Sequence, residues 1–244
     1  MADHAHPSVD GDAERRYLPA MGRRRLLPLY GTVARFAGVP GVHGELVERA
    51  GLRAGLRVLE VGCGPGGLLR LVRRRFPDVD LVGLDPDPAA LARARRAVGP
   101  AVRLDRGFAD ALPYPDASID RVLSSFMWHH LDLADRPRAM DEIVRVLRPG
   151  GELHLVDLSG TGAVHGLLSR RWHRRAHHAH DGRPDDLLTL MRQAGLTDVI
   201  TAEQANGRLG GYTFYRAASP AAASSPHPAG GGGSTPSGPP PSRR

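Results

Sequence analysis

Val58-Leu59-Glu60-Val61-Gly62-Cys63-Gly64-Pro65-Gly66-Gly67 is the stretch on which the fold of this chain turns. Arg57–Val61 is a short apolar run that reads as a strand, and it stops at a cluster of glycines. Beyond the cluster Leu68, Leu71, Val72 and Phe76 recur at helical spacing. The glycines therefore form a loop between a strand and a helix. Gly62, Gly64 and Gly66 let the backbone turn tightly and approach a ligand without Cβ atoms in the way. The loop opens into a helix N-terminus, whose unpaired N–H groups and dipole favour a carboxylate or a phosphate.

Working outward, the pattern repeats. Asp80–Leu84 is a second strand, leading into Asp85-Pro86-Asp87-Pro88, where Asp87 suits a helix N-cap and Pro88 the first helical position. That helix runs to about Val98, and Ala101–Arg106 makes a third strand. Ile119–Ser124 reads as a fourth. The following helix places Met140, Ile143, Val144 and Leu147 on one face and stops at Pro149-Gly150. Gly151–Leu158 is a fifth strand, and Asp185–Ala194 a short helix with Leu187, Leu188 and Met191 inward. Asp198–Glu203 and Leu209–Arg216 flank Asn206-Gly207, a strong hairpin signal. The expectation is an α/β, Rossmann-like doubly wound sheet of about seven strands, mostly parallel with an antiparallel C-terminal hairpin strand.

Composition narrows the function classes. The 244 residues, 41% hydrophobic and 24% charged, suit one globular domain with an appendage. No run approaches the roughly 18–20 apolar residues of a membrane span, and no signal peptide is evident near the start. Cys63 is the single cysteine, which excludes an intramolecular disulfide and a multi-cysteine zinc site, and the chain reads as cytoplasmic. The net charge of +7 comes from arginine alone, since all 33 basic residues are arginine. A chain using charge to grip phosphates would be expected to use lysine as well. The clusters Arg23–Arg25, Arg73–Arg75 and Arg170–Arg175 read as solvated faces, and nucleic acid is not the expected partner.

Asp85, at the end of the second strand, projects beside the glycine loop and offers two acceptor oxygens to the vicinal hydroxyls of a ribose. Loop and acid together specify a ribonucleoside ligand at the carboxyl ends of the strands. Two ligands remain open. Gly62, Gly64 and Gly67 satisfy G-x-G-x-x-G, with Asp85 near the ~20-residue offset of a dinucleotide fold, which would permit an NAD(P)-dependent oxidoreductase. Glu60 argues against it, because an acid there repels a pyrophosphate and welcomes an ammonium group.

Four motifs in order resemble those of class I S-adenosylmethionine-dependent methyltransferases, of the type that includes ubiquinone/menaquinone C-methyltransferases. Glu60-Val61-Gly62-Cys63-Gly64-Pro65-Gly66 resembles the acidic glycine loop, and Asp85 the ribose-binding acid. Leu112-Pro113-Tyr114-Pro115-Asp116 with Ile119-Asp120 resembles the LPFPD…FD segment. Arg145-Val146-Leu147-Arg148-Pro149-Gly150-Gly151 resembles the RVLKPGG turn. The likeness covers about residues 26–216. It implies S-adenosyl-L-methionine as cofactor, with Gly62, Cys63, Gly64 and Gly66 around its methionine end and Glu60 near its ammonium group. It also implies Asp85 at the ribose, Pro86 against the adenine, Ala109 and Asp110 along the adenine edge, and Ser125 in contact after the fourth strand. The family usually has an acid after the glycine matching Gly107, where this chain has Phe108; either Asp110 takes the adenine contact or Phe108 stacks on the ring. The implied organisation is a flexible start (1–16), an N-terminal helical cap (17–50), the cofactor-binding domain (51–216) and an Ala/Pro/Ser/Gly tail (217–244) read as disordered.

Methyl transfer by in-line displacement needs alignment above all, and a general base only where the acceptor must lose a proton. The expected acceptor is a small molecule, because the N/D-P-P-Y/F sequence of base-amino methyltransferases is replaced by Ser124-Ser125-Phe126-Met127, and no paired-glutamate loop appears there. His130 is the candidate base, with His129 and Tyr30 as candidate substrate-pocket residues. His173, His177, His178 and His180 have metal-like spacing, but the segment is strongly basic; no metal is expected, and a lid over the substrate is the preferred reading. Cys63 reads as structural. Besides an oxidoreductase, a non-catalytic cofactor-binding protein is the remaining alternative.

Overall fold

A computed structural model describes residues 38–158, 184–207 and 210–221. Its elements are α1 (Val39–Arg49), β1 (Arg57–Val61), α2 (Gly67–Arg75), β2 (Asp80–Asp85), α3 (Pro88–Val98), β3 (Arg103–Arg106) and β4 (Ile119–Ser125). A 3-10 turn (Trp128–His130), α4 (Arg136–Val146), β5 (Leu147–Leu158), α5 (Pro184–Gln193), β6 (Thr197–Gly207) and β7 (Gly210–Ala218) follow. Among the described residues the strands form one seven-stranded sheet in the order β3-β2-β1-β4-β5-β7-β6. The first five are parallel to one another, while β7 runs antiparallel to both β5 and β6. The hairpin expected at Asn206-Gly207 is present, with Gly207 opposite Gly210.

Strand alternation sends side chains to two apolar layers. On one face Leu59, Val61, Val122, Leu153, Leu155 and Tyr215 pack with Met140, Ile143 and Val146 of α4 and with Leu187 and Met191 of α5. On the other, Val58, Leu81, Leu123, Val156 and Phe214 meet Val42, Leu46 and Val47 of α1 and Leu68, Leu69 and Val72 of α2. Each such leucine, fully buried, contributes about 1.5–3 kcal/mol of transfer free energy. The start of α3 follows the sequence reading: the Asp87 carboxylate accepts the Ala89 N–H at 2.8 Å, and Pro88 opens the helix.

Several boundaries differ from expectation; β6, expected at Asp198–Glu203, runs Thr197–Gly207, and three others bear on the packing. α4 ends at Val146, and Leu147, placed on the helix face from its spacing, opens β5 opposite Ile119. Its extended backbone (φ −66°, ψ 133°) releases the chain before Pro149, which disfavours helix in the residue preceding it. β3 starts at Arg103 rather than Ala101. Ala217 and Ala218, read with the tail, complete β7, where Ala217 is fully buried and pairs with Leu153. Of the expected helical cap, α1 lies among the described residues; the start of the chain, Tyr30, the histidine-rich segment and the tail beyond residue 221 lie outside them.

Candidate functional site

Every residue named for the site that falls within the described chain lies at the carboxyl edge of the parallel strands. The glycine loop is tied to β2 by the Gly62 and Cys63 N–H groups, which both donate to the Leu84 carbonyl at 2.9 Å. Gly62 has φ +75°, and a Cβ added there would stand 2.2 Å from Cγ of Met127. Gly66 has φ +80° and a would-be Cβ 3.0 Å from the Cα of Ala94, so only glycine lets α2 start against α3.

Asp85 is buried at the tip of β2. One carboxylate oxygen accepts the Gly64 N–H at 2.8 Å and the other the Asp87 N–H at 2.9 Å. Each oxygen thus keeps one lone pair for a ligand rather than two. Burial raises its pKa to about 6, although both backbone bonds oppose that shift. Glu60 is 3% exposed, and its Oε2 has no hydrogen-bond partner. Burial, and then the charge of Asp85, hold its carboxyl well above the usual range, against one stabilising bond from the Leu69 backbone. Cys63 is buried beside these acids, and desolvation followed by their charges pushes its thiol up, away from the reactive thiolate.

Pro86 follows Asp85 half-buried, and its carbonyl accepts from Arg106 at 3.3 Å. Ala109 is buried, while the Asp110 carboxylate lies 3.6 Å from the Arg138 guanidinium of α4. Ser125, at the tip of β4, shares a 3.0 Å hydrogen bond with Nε2 of His43. His43 carries no expectation from sequence. It comes from α1, 82 residues before Ser125, and burial lowers its pKa to about 4, so it is neutral at physiological pH. The available signal was its position four residues after Val39, on the apolar stripe of α1.

After β4 the chain turns sharply at Phe126, which holds φ +52°, and Met127 lands on Gly62. The 3-10 turn then presents His129 to Asp157 at the end of β5. Nδ1 of His129 lies 2.5 Å from one carboxylate oxygen, and the His129 N–H donates to the other at 2.9 Å. Asp157 was also missed, though an acid at the tip of the apolar run HLVDL is the same signal that revealed Asp85. His130 stacks on His129 with ring centroids 4.2 Å apart. Burial, then the neighbouring imidazole, lowers the His130 pKa to about 3. His129, rather than the expected His130, therefore has the carboxylate partner. Among the described residues no group of three or more His, Cys, Asp or Glu is arranged to hold a metal; the histidines at 173, 177, 178 and 180 lie outside them.

The antiparallel β7 between β5 and β6 departs from the 3-2-1-4-5-6 order of dinucleotide-binding sheets. The fold, a mostly parallel seven-stranded sheet closed by an antiparallel hairpin, is one shared with solved methyltransferases. Residues 58–151 match the family described as "Methyltransferase domain". An uncharacterized methyltransferase of Mycobacterium tuberculosis is 42% identical over 120 residues, covering 49% of this chain and 46% of that protein. Demethylmenaquinone methyltransferase of Deinococcus radiodurans is 39% identical over 104 residues, 41% of this chain and 42% of that protein. The chain spans less than half the length of these curated relatives. Phosphoethanolamine N-methyltransferase 2 of Haemonchus contortus, solved with S-adenosylhomocysteine, superposes with a TM-score of 0.63 at 17% identity. That alignment covers 74% of this chain and 52% of the nematode chain, and it shows the shared fold.

The residues present fit S-adenosyl-L-methionine. A buried, unpartnered carboxylate oxygen on Glu60 suits an ammonium group. The glycine loop, bare of side chains, and the spare lone pairs of Asp85 suit the amino-acid and ribose portions.

Proposed function

We propose that the protein transfers a methyl group from S-adenosyl-L-methionine to a small-molecule acceptor. The observation that carries this reading is Glu60, a buried acid whose free oxygen adjoins a glycine loop on the strand next to Asp85. A pyrophosphate would meet two buried acids there, whereas a cationic amino acid joined to a ribose finds a partner for each. When bound, the cofactor supplies a sulfonium-activated methyl group. Glu60 holds the ammonium group, Asp85 the ribose diol, and Gly62, Cys63, Gly64 and Gly66 the intervening chain. Pro86, Ala109 and Asp110 border the base, and Ser125, fixed by His43, completes the wall beyond β4. The work of the chain is orientation, worth up to about 7–11 kcal/mol in favourable intramolecular cases.

A small-molecule acceptor accords with relatives such as demethylmenaquinone methyltransferase. Arg121, Arg145, Arg148 and Arg216 are engaged with carboxylates of the fold, which accords with reading these four as structural rather than phosphate-binding. No described helix is long and apolar enough to cross a membrane, and the lone thiol of Cys63 accords with the reducing cytoplasm.

Calorimetric titration with S-adenosyl-L-methionine and with NADH tests the cofactor, and methyl-labelled cofactor incubated with a small-molecule extract tests the transfer. Saturable S-adenosyl-L-methionine binding, at least tenfold weaker in Asp85→Ala, with label appearing in a small molecule, is the expected result. NADH binding alone overturns the reading. Cofactor binding with no labelled product favours a non-catalytic cofactor-binding protein.

A further inference from the structure

We propose that His129, oriented by Asp157, accepts the proton shed by the methyl acceptor, so that the acceptor attacks through an atom bearing a removable hydrogen. This rests on the methyl-transfer reading and narrows its substrate class to a hydroxyl, a phenol, an N–H amine or an acidic C–H.

Three observations place the pair. First, β4 and β5 are paired up to Ser125 and Val156, so Asp157 stands one residue beyond the tip of β4 at the candidate site. Second, Met127 packs on Gly62, anchoring the start of the turn that carries His129 to the glycine loop. Third, His129 is held by both oxygens of one carboxylate, one at its ring and the other at its backbone N–H. Asp157 meets Nδ1 at 2.5 Å and the His129 N–H at 2.9 Å, and it also accepts the Leu158 N–H at 2.7 Å. A carboxylate that accepts at Nδ1 keeps the hydrogen there and leaves the Nε2 lone pair available. A third of the His129 side chain (33%) is exposed, against 6% of Asp157, so the pair has one buried and one accessible member.

The electrostatics agree with that geometry. Burial alone would lower the His129 pKa, but the charge and hydrogen bond of Asp157 raise it above the ordinary value. Arg136 of α4 works against the rise, and His130 is the other titratable ring facing it. Asp157 stays ionised: its burial is outweighed by His129 and by the two backbone N–H bonds. In the step itself the X–H bond of a hydroxyl, phenol or acidic C–H breaks, the proton passes to Nε2, and the bonding pair remains on X as the nucleophile; an amine attacks through its own lone pair and gives its N–H proton to Nε2, the N–H pair staying on nitrogen, as the new bond forms. The resulting imidazolium is stabilised by Asp157 and returns its proton to solvent afterwards. Positioned bases of this kind typically contribute about 10²–10⁴-fold in rate. His129 is the catalytic residue of the proposal and Asp157 a positioning residue.

The test is long-range ¹H–¹⁵N NMR of the full chain labelled in histidine, with and without S-adenosylhomocysteine. The expected result is a neutral His129 carrying hydrogen on Nδ1, a pKa above the ordinary value, and ring signals that move when S-adenosylhomocysteine binds. Asp157→Asn is expected to lower that pKa by one unit or more; the tautomer and ligand response of the unaltered protein decide the matter if that variant does not fold. In the labelled-methyl assay, His129→Gln is expected to bind S-adenosylhomocysteine within about twofold of the unaltered protein. It should lose at least about 10²-fold in turnover, with part of the loss recovered at high pH. Hydrogen on Nε2, or His129 signals indifferent to S-adenosylhomocysteine that demonstrably binds, would overturn the proposal alone. So would a labelled methyl on a pyridine-type nitrogen, tertiary amine or thioether, none of which sheds a proton. Absence of S-adenosylhomocysteine binding removes the methyl-transfer reading and the proposal with it.

Discussion

Glu60 and Asp85 lie on paired neighbouring strands, Glu60 opposite Gly83 and Asp85 just past the end of that pairing, and both are buried. Burial, and after it the charge of Asp85, push the Glu60 carboxyl well above its usual range in the free protein. An ammonium group arriving at Oε2 favours the ionised form, so its binding is coupled to loss of a proton from Glu60. Cofactor titrations across a range of pH in buffers of different ionisation enthalpy are therefore expected to show net proton release. Glu60→Gln should abolish the release and weaken binding at least tenfold; buffer-independent heats with unchanged affinity would contradict the assignment. Gly62→Ala tests the loop: its Cβ would meet Met127 at 2.2 Å on a backbone at φ +75°, so about 1–3 kcal/mol of destabilisation and loss of binding are expected. Glu60, Asp85 and the glycines were legible in sequence because their spacing is local to two strand ends. The pairings of His43 and Asp157 were not, because each partner is brought in by the tertiary fold, Ser125 at a separation of 82 residues and His129 at 28.

At the scale of elements, two motifs that look independent in sequence prove to be one structure. The Arg145 guanidinium, from RVLRPGG, binds Glu142 and Asp116 at 2.6 Å and the carbonyls of Tyr114 and Leu112 at 2.8 and 2.9 Å. Glu142 in turn accepts the Leu112 N–H at 2.7 Å, so α4 clamps the LPYPD segment just before β4. Asp120 does likewise from the Ile119-Asp120 pair, accepting the Arg57 N–H at 2.7 Å and binding Arg148 at 2.8 Å. Arg145→Ala is expected to cost about 2 kcal/mol in urea unfolding, since charged hydrogen bonds are lost and loop carbonyls left without their donor. A change below about 0.5 kcal/mol, the usual range of a surface substitution, would show that the clamp is not stabilising. The alternation of strands and helices was readable because apolar periodicity survives in a single sequence. The exact handover from α4 to β5 was not, since Leu147 fits the helical stripe as well as it fits a strand, and only pairing with Ile119 decides between them.

For the molecule as a whole, the buried titratable groups pull stability in two directions with pH. His43 and His130 are held neutral with pKa values of about 4 and 3. A depressed folded value means that their contribution is present above the unfolded value of about 6.5 and is lost as pH falls toward those numbers. Glu152 extends the loss further. It joins three adjacent strands, accepting from Arg216 of β7 at 2.5 Å and pairing with His154 at 2.8 Å and with Arg121 of β4 at 3.6 Å. Burial raises its pKa, but these partners more than offset that and bring it to about 2. Asp85, raised to about 6 by burial, has the opposite sign and gains stability as pH falls through that value. Urea unfolding should therefore show a shallow decline beginning near pH 6.5, where the histidine and Asp85 contributions oppose one another. A steeper loss is expected between about pH 4.5 and 2, where the ionised Glu152 is titrated away. Glu152→Gln should be less stable than the unaltered chain by about 1–3 kcal/mol at pH 7. Because the substitution removes a charge that acid would remove anyway, the two unfolding curves should converge toward pH 2. A difference that stayed constant across that window would mean the residue acts through packing rather than through its charge.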